Sequence, residues 1–117
     1  MTRVVSMART SEYWIGRARR HRLAGRYDEA MALLGKTREQ YGTSEVLERE
    51  LAQTYEEMGC EEEAARAYLR VVRMKGEYRA EALFQLLRLI SVYLAAAAKN
   101  DAFFIQLSLP SSDGPSA

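Results

Sequence analysis

The strongest concentration of ligand-binding side chains is a run of arginines, RARRHRLAGR, at residues 17–26. Spacings of three and four residues place Arg19, Arg22 and Arg26 on one face of a predicted helix, and guanidinium groups bind phosphates and carboxylates. The pI of the chain is about 7.9, and no aromatic residues alternate with these arginines, which argues against nucleic acid as the ligand. Nucleic-acid contact through Arg17–Arg26 is therefore the less favoured alternative, and acidic side chains of the same protein are equally available partners.

No set of side chains predicts catalysis. His21 is the only histidine and Cys60 the only cysteine, and a lone imidazole or thiol has little catalytic capacity without a base, nucleophile or second ligand beside it. His21 is interpreted as a packing residue between helices and Cys60 as an inert exposed thiol. The run Glu61–Glu63 falls at a predicted helix N-terminus, where carboxylates complement the helix dipole. The sequence therefore predicts no enzyme, no metal site and no cofactor.

Charge is distributed unevenly along the 117 residues. Residues 1–42 carry nine basic and four acidic side chains, residues 43–78 carry five and nine, and the net charge is +1. Such polarity can guide association with a partner or a second copy. The opening MTRVVSMARTSEYW lacks the apolar run of a secretory signal, and a single cysteine cannot form an internal disulfide. These features predict a reducing, cytoplasmic location.

The sequence contains an internal repeat, in which position 11 aligns with position 45. When residues 11–44 are aligned with residues 45–78, five positions are identical, and four of them are Gly or Ala. Small residues let two helices approach closely, and glycine adopts the positive φ of a turn that ends a helix. The identical pairs are Ala18 and Ala52, Gly25 and Gly59, Glu29 and Glu63, Ala30 and Ala64, and Gly42 and Gly76.

Each repeat is predicted to form two amphipathic helices joined by a tight turn. Their expected bounds are about residues 12–24, 28–40, 45–58 and 61–74. Asp28 and Ser44 are candidate N-caps, because their short side-chain oxygens accept hydrogen bonds from the N–H groups of a first turn. Gly42 and Gly76 are expected to end the second helix of each repeat.

This pattern resembles the tetratricopeptide repeat, a helical hairpin of about 34 residues. The matching residues are Trp14, Ala18, Gly25, Tyr27, Ala30 and Leu34 in the first unit, and Leu51, Ala52, Tyr55, Gly59, Ala64 and Tyr68 in the second. Departures occur at Arg17, His21 and Glu48, where the family prefers Leu, Tyr and Trp, and at Gly42 and Gly76, where it closes with Pro. The resemblance covers residues 11–78 and implies an all-α fold of antiparallel helix-hairpin repeats, a short solenoid that binds protein or peptide.

In that family, the first helix of each hairpin lines a concave groove. Carried over residue by residue, the resemblance implies a groove with polar side chains on the first and third helices and an apolar wall on the fifth. The implied binding residues are Arg19, Arg22, Arg49, Gln53, Glu56, Leu83, Leu87 and Ile90.

A fifth helix is predicted from Arg79 onward, because EALFQLLRLISVYLAAAA contains neither Gly nor Pro. Polar residues form one narrow stripe along it, and the rest of its surface is apolar. Arg88 near the middle argues against a membrane span. A repeat array normally ends in a polar face, so something is expected to cover this helix. The candidates are the tail residues Phe103, Phe104, Ile105 and Leu107, a second copy in a two-fold homodimer, or a hydrophobic segment of a partner.

The sequence KND at residues 99–101 is predicted to break the fifth helix, AFFIQLSL to fold back as a short helix or extended cover, and PSSDGPSA to be disordered. We therefore predict an N-terminal arm at residues 1–10, a repeat domain at residues 11–108 and a disordered tail at residues 109–117. The predicted function is non-catalytic binding of protein or peptide, as an adaptor or scaffold, with neither nucleic acid nor membrane as the ligand. The alternative is a homodimeric assembly module that uses the apolar fifth helix.

Overall fold

The computed structural model describes residues 10–108, and it describes side-chain surroundings for residues 10–100. Within these residues the chain forms five helices and no strand, which confirms the predicted all-α class. The helices are α1 (Ser11–Leu23), α2 (Tyr27–Tyr41), α3 (Glu45–Glu57), α4 (Glu61–Met74) and α5 (Arg79–Ser108). The predicted arm at residues 1–10, apart from Thr10, and the predicted tail at residues 109–117 lie outside the described residues.

The chain divides into two compact units, and the boundary between them, at Leu86 and Leu87, falls within α5. In the first unit, α1 packs against α2 and α3 packs against α4, while α3 also contacts α1 and α2. The central position of α3 makes it the helix on which the others converge. The second unit, in its described part, consists of residues 87–108 of α5.

The turn between α1 and α2 and the turn between α3 and α4 share one backbone geometry. Gly25 has a φ of +80° and Gly59 a φ of +83°, a conformation that glycine adopts at little cost. After each glycine, the next backbone N–H donates to the carbonyl five residues earlier: Arg26 to His21, and Cys60 to Tyr55, each at 2.8 Å. The spacing of the two glycines therefore sets the spacing of the two turns.

Small residues that recur at the repeat interval form the centre of the first unit. Ala18, Ala30, Ala52 and Ala64 are all fully buried, so the helix backbones approach closely at these points. Larger side chains fill the space beside them in matching pairs, which are Leu34 and Tyr68, and Thr37 and Val71. The core thus follows the repeat that the sequence displays.

Two predicted helix ends are confirmed and one predicted N-cap is wrong. Ser44 Oγ accepts a hydrogen bond from the N–H of Leu47 at 3.1 Å and caps α3, and Gly42 follows α2 with a φ of +84°. Asp28 is not an N-cap, because α2 already begins at Tyr27. Asp28 instead lies in the first turn of α2, where its carboxylate complements the helix dipole.

Gly76 does not end α4 as predicted. The helix ends at Met74, and Lys75 takes the left-handed conformation with a φ of 56°. A Cβ at Gly76 would overlap the carboxylate of Glu45, which is the end of a flexible side chain and could move aside at little cost. That carboxylate accepts a hydrogen bond from the N–H of Tyr78 at 3.4 Å, immediately before α5.

We expect Lys75→Gly to raise the free energy of unfolding by about 0.5–1 kcal/mol, because glycine removes the cost of a left-handed conformation for a residue with a Cβ. Lys36→Gly is the matched control. It makes the same change at an exposed position inside α2 and should lower stability by about 1 kcal/mol. Urea unfolding followed by circular dichroism measures both, and a loss of stability in the Lys75 variant would contradict this account of the turn.

Helix α5 continues unbroken from Arg79 to Ser108, so the predicted break at residues 99–101 and the predicted fold-back are wrong. Asn and Asp reduce helix stability only by several tenths of a kcal/mol each relative to strong helix formers, and α5 contains no Gly or Pro. Residues that continue a helix cannot fold back over it. The side chains predicted to form the cover, Phe103, Phe104, Ile105 and Leu107, lie outside those that the structure describes.

Candidate interaction surface

Two carboxylates are buried on α3, the helix at the centre of the first unit. Glu48 and Glu50 each have 1% of their surface exposed, and buried carboxylates require charged or hydrogen-bonded partners. The sequence interpretation placed Glu48 at a position where the resembled family prefers Trp and assigned Glu50 no role. Both residues form ion pairs with arginines of neighbouring helices.

Glu50 binds two arginines of α1. Its Oε1 accepts a hydrogen bond from Arg19 Nε at 3.0 Å, and its Oε2 accepts one from Arg22 Nε at 2.5 Å. Arg22 also donates from Nη1 to Glu57 at 2.7 Å. Only 9% of Arg22 is exposed, so this guanidinium is held inside the first unit between α1 and α3.

The pKa of Arg22 reflects the same surroundings. Burial is the largest single effect and acts to lower the pKa, but the hydrogen bonds and charges of Glu50 and then of Glu57 together outweigh it. The net pKa lies above the ordinary value for arginine. Arg22 therefore stays protonated throughout the range in which proteins are studied, and the ion pair does not titrate through this residue.

Glu48 holds α2 and α4 to α3. Arg38 Nη1 donates to its Oε2 at 3.2 Å, Arg70 Nε donates to its Oε1 at 2.8 Å, and the hydroxyl of Thr43 donates to Oε2 at 2.7 Å. Arg38 and Arg70 remain partly exposed. This network joins three helices through one buried carboxylate.

Arg49 fixes the start of α5. Its Nε and Nη2 donate to Glu81 Oε2 at 3.0 and 2.9 Å, and its guanidinium lies 4.7 Å from the centre of the Tyr78 ring. Paired hydrogen bonds of this kind give directional strength that a lysine would not. The first turn of α5 is thereby attached to α3.

These contacts involve the arginines of the predicted groove. Arg22 is buried, and Arg19 and Arg49 are paired with carboxylates of the same protein, because the acidic side chains of α3 and α5 lie beside them. Glu56 accepts a hydrogen bond from the Tyr68 hydroxyl at 3.1 Å, and Gln53 is half-buried. The arginines implied as ligand contacts thus have carboxylate partners within the first unit, and the groove stays a prediction.

The arginine face predicted for residues 17–26 is also wrong. Arg26 lies in the turn after α1, where its Nε donates to His21 Nδ1 at 3.0 Å and forms an ion pair with Glu29 at 3.4 Å. Arg17 lies 5.8 Å from the centre of the Trp14 ring. Since α1 ends at Leu23, Arg26 does not share a helical face with Arg19 and Arg22.

An exposed apolar surface lies along α5. The predicted residues Leu83, Leu87 and Ile90 are 37%, 54% and 40% exposed. Four further large apolar side chains are exposed on the same helix and were not predicted as site residues: Phe84, Val92, Tyr93 and Leu94. Leu94 continues the spacing of the predicted three, so this spacing would have identified it.

Six residues at alternating intervals of three and four define what we name the α5 seam. At about 100° per residue, this spacing places them on one face of the helix. The seam consists of Ala80, Leu83, Leu87, Ile90, Leu94 and Ala97, and none of these is buried.

The segment Arg79–Asn100 is also long and apolar enough to cross a membrane, judged by length and composition alone. It has 22 residues, and a window of 18 residues within it has a mean hydropathy of 1.4, with 17% of that window buried. One such helix is weak support for a span, and Arg88 would place a charge near its centre, which costs roughly 2.5–3.5 kcal/mol or more.

Within the part of the chain that the structure describes, no three or more His, Cys, Asp or Glu residues group to hold a metal ion. Comparisons with family models, curated proteins and solved structures found no match. The seam and the buried ion pairs are thus the features from which a function can be argued.

Proposed function

We propose that the chain is a non-catalytic protein-binding module, of the adaptor or scaffold kind, that contacts another polypeptide through the α5 seam. The observation that carries this proposal is the exposure of Leu83, Leu87, Ile90 and Leu94 along one face of an uninterrupted helix. Contiguous apolar surfaces beyond a few hundred Å² are rare on monomeric soluble proteins and mark interaction sites.

The spacing of the seam favours a helical partner. Apolar residues at alternating intervals of three and four form the contact line of paired helices, where each side chain enters a space between side chains of the facing helix. The start of α5 is held in place by Arg49 and Glu81 and by the buried residues Ala82 and Leu86 of the first unit. A surface on a preformed helix loses little conformational entropy on binding.

We also infer that the first unit is of the tetratricopeptide type. The recurrence of the turn hydrogen bonds and of the buried alanines at the repeat interval supports this inference. The implied groove between arginines is not part of the proposal, because Arg19, Arg22 and Arg49 already pair with Glu50 and Glu81. In this account α5, rather than the arginines of α1 and α3, provides the contact.

Thiol labelling tests the proposal. In a Cys60→Ser background, Leu87→Cys places a thiol in the seam and Val92→Cys places one on another face of the same helix. Both parent residues are 54% exposed, so the two thiols should react equally fast in an isolated chain. We expect the seam thiol to react at least about tenfold more slowly with a maleimide at high protein concentration, where a protein contact forms.

Equal labelling rates at all protein concentrations would exclude contact between copies through the seam. A second arm adds phosphatidylcholine vesicles. If the seam thiol is protected only when vesicles are present, α5 contacts lipid, and the protein-binding proposal is wrong.

A further inference from the structure

We infer that the α5 seam binds the α5 seam of a second copy, with the two helices antiparallel and the two-fold axis between Arg88 and Leu89. This inference rests on the proposed function, because it names the partner of the same surface. It is carried by the symmetry of the seam and by the residue types within it.

The seam reads nearly the same in both directions. Its residues are Ala, Leu, Leu, Ile, Leu and Ala, at intervals of three, four, three, four and three. An isologous two-fold contact requires a surface that is complementary to itself. Antiparallel pairing about the midpoint brings residues of similar size to the same level, which pairs Ala80 with Ala97, Leu83 with Leu94, and Leu87 with Ile90.

A parallel pair of helices suits these residues less well. In the heptad notation of coiled coils, Leu87 and Leu94 occupy a positions, while Leu83 and Ile90 occupy d positions. Leu at a with Ile at d favours assemblies larger than a parallel dimer, and Ile90 gives this combination at one of the two large d positions. In the antiparallel arrangement, each a residue instead packs at the same level as a d residue of the second copy. Leu87 then packs against Ile90 of the second copy, and the preference for larger parallel assemblies does not apply.

The charge near the axis does not oppose this arrangement. Arg88 lies at least about 100° around the helix from Leu83, Leu87, Ile90 and Leu94, given 3.6 residues per turn. The two copies of Arg88 therefore stay off the seam, at the edge or the outer face of the pair. Neither guanidinium has to be buried for the apolar residues to meet.

The size of the seam sets the expected strength. From Ala80 to Ala97 the helix runs for about 26 Å, and contact along one helix face buries less than the roughly 800 Å² per partner of a standard interface. The alanines at both ends let the backbones approach closely, which increases the contact. Association should therefore depend on protein concentration within the micromolar range accessible in solution.

Disulfide crosslinking tests the register. In the Cys60→Ser background, Leu83→Cys and Leu94→Cys are prepared as separate proteins and oxidised alone and mixed. Antiparallel pairing puts position 83 level with position 94 of the other copy, whereas like positions are separated by about 16 Å along the axis, beyond the reach of a disulfide. We expect a crosslinked pair in the mixture, at least about tenfold more than in either protein alone.

Leu87→Cys mixed with Ile90→Cys is the second test pair, and Val92→Cys mixed with Leu94→Cys is the control that should not crosslink above background. Crosslinking of Leu83→Cys with itself and of Leu94→Cys with itself would show parallel helices and overturn the inference, because antiparallel pairing separates these like positions by about 16 Å. Thiol protection at position 87 without crosslinks in either test mixture would overturn the register while leaving the proposed function in place. Absence of both would overturn the inference that a second copy covers the seam, and would leave a different polypeptide as the partner of the proposed function.

Discussion

Replacing Glu50 with Gln is expected to lower the free energy of unfolding by about 3–5 kcal/mol, the usual cost of breaking a buried ion pair. Gln retains the size of the side chain but loses its charge. Arg22, 9% exposed, would then keep Glu57 as its one carboxylate partner among those identified. Stability is lost because the guanidinium of Arg22 stays buried inside the first unit while one of its two carboxylate partners has lost its charge.

Two controls separate this cause from a general effect of removing charge. Glu57→Gln removes the partly exposed partner of Arg22 and should cost about 1 kcal/mol or less. Glu48→Gln removes an equally buried carboxylate, but its partners Arg38 and Arg70 are partly exposed and can turn towards water. We therefore expect the Glu48 variant to lose less stability than the Glu50 variant.

Chemical denaturation followed by circular dichroism measures these differences. The double replacement Glu50→Leu with Arg22→Leu should recover much of the stability that Glu50→Gln loses, because a well-packed apolar pair avoids desolvating two charges. If Glu50→Gln and Glu57→Gln cost the same, the buried network does not hold α1 to α3 as described.

Leu87→Glu is expected to weaken self-association at least about 100-fold. Each protomer would lose a buried Leu side chain, worth roughly 1.5–3 kcal/mol, and place a carboxylate on the seam, and a two-fold pair contains this change twice. Val92→Glu is the matched control, since Val92 is equally exposed but lies off the seam. Its effect on association should be severalfold at most.

Sedimentation velocity over a range of concentrations measures the association of both variants, and circular dichroism checks that both remain helical. Equal weakening by the two substitutions would show that general hydrophobicity of α5, rather than the seam, drives association. Unchanged association in the Leu87 variant would exclude the seam as the contact.

The sequence predicted most of the first unit because its backbone requirements are local. Gly25, Gly59 and the four buried alanines recur at the repeat interval, and glycine in a left-handed turn and alanine at a close helix contact are requirements that a repeat displays directly. At every end of α1 to α4, the observed bound lies within one residue of the predicted bound. Their positions follow from turns and caps within a few residues of each end.

The wrong predictions concern choices that local sequence does not decide. Either Lys75 or Gly76 can end α4, and the carboxylate of Glu45 beside Gly76 comes from a distant part of the chain. Asn100 lies within α5 because residues of modest helix propensity are carried by the strong helix around them.

Only part of the candidate site was predicted, because the rest depends on contacts between residues far apart in the sequence. Leu83, Leu87 and Ile90 were implied by the family resemblance as the apolar wall of a groove, and they are exposed on α5. Arg19 and Arg22 were assigned to a groove, although their partners Glu50 and Glu57 lie two helices further along the chain. Sequence showed that acidic partners were available, but pairing between α1 and α3 depends on tertiary contact.

The molar mass of the unmodified chain in solution, measured by light scattering across a dilution series, tests the central claim most directly. We expect a mass approaching twice 13.3 kDa at high concentration and a decrease towards the mass of one chain on dilution. A mass of 13.3 kDa at every concentration, in a chain that stays folded and soluble without detergent, would contradict the claim that the α5 seam is covered by a second copy.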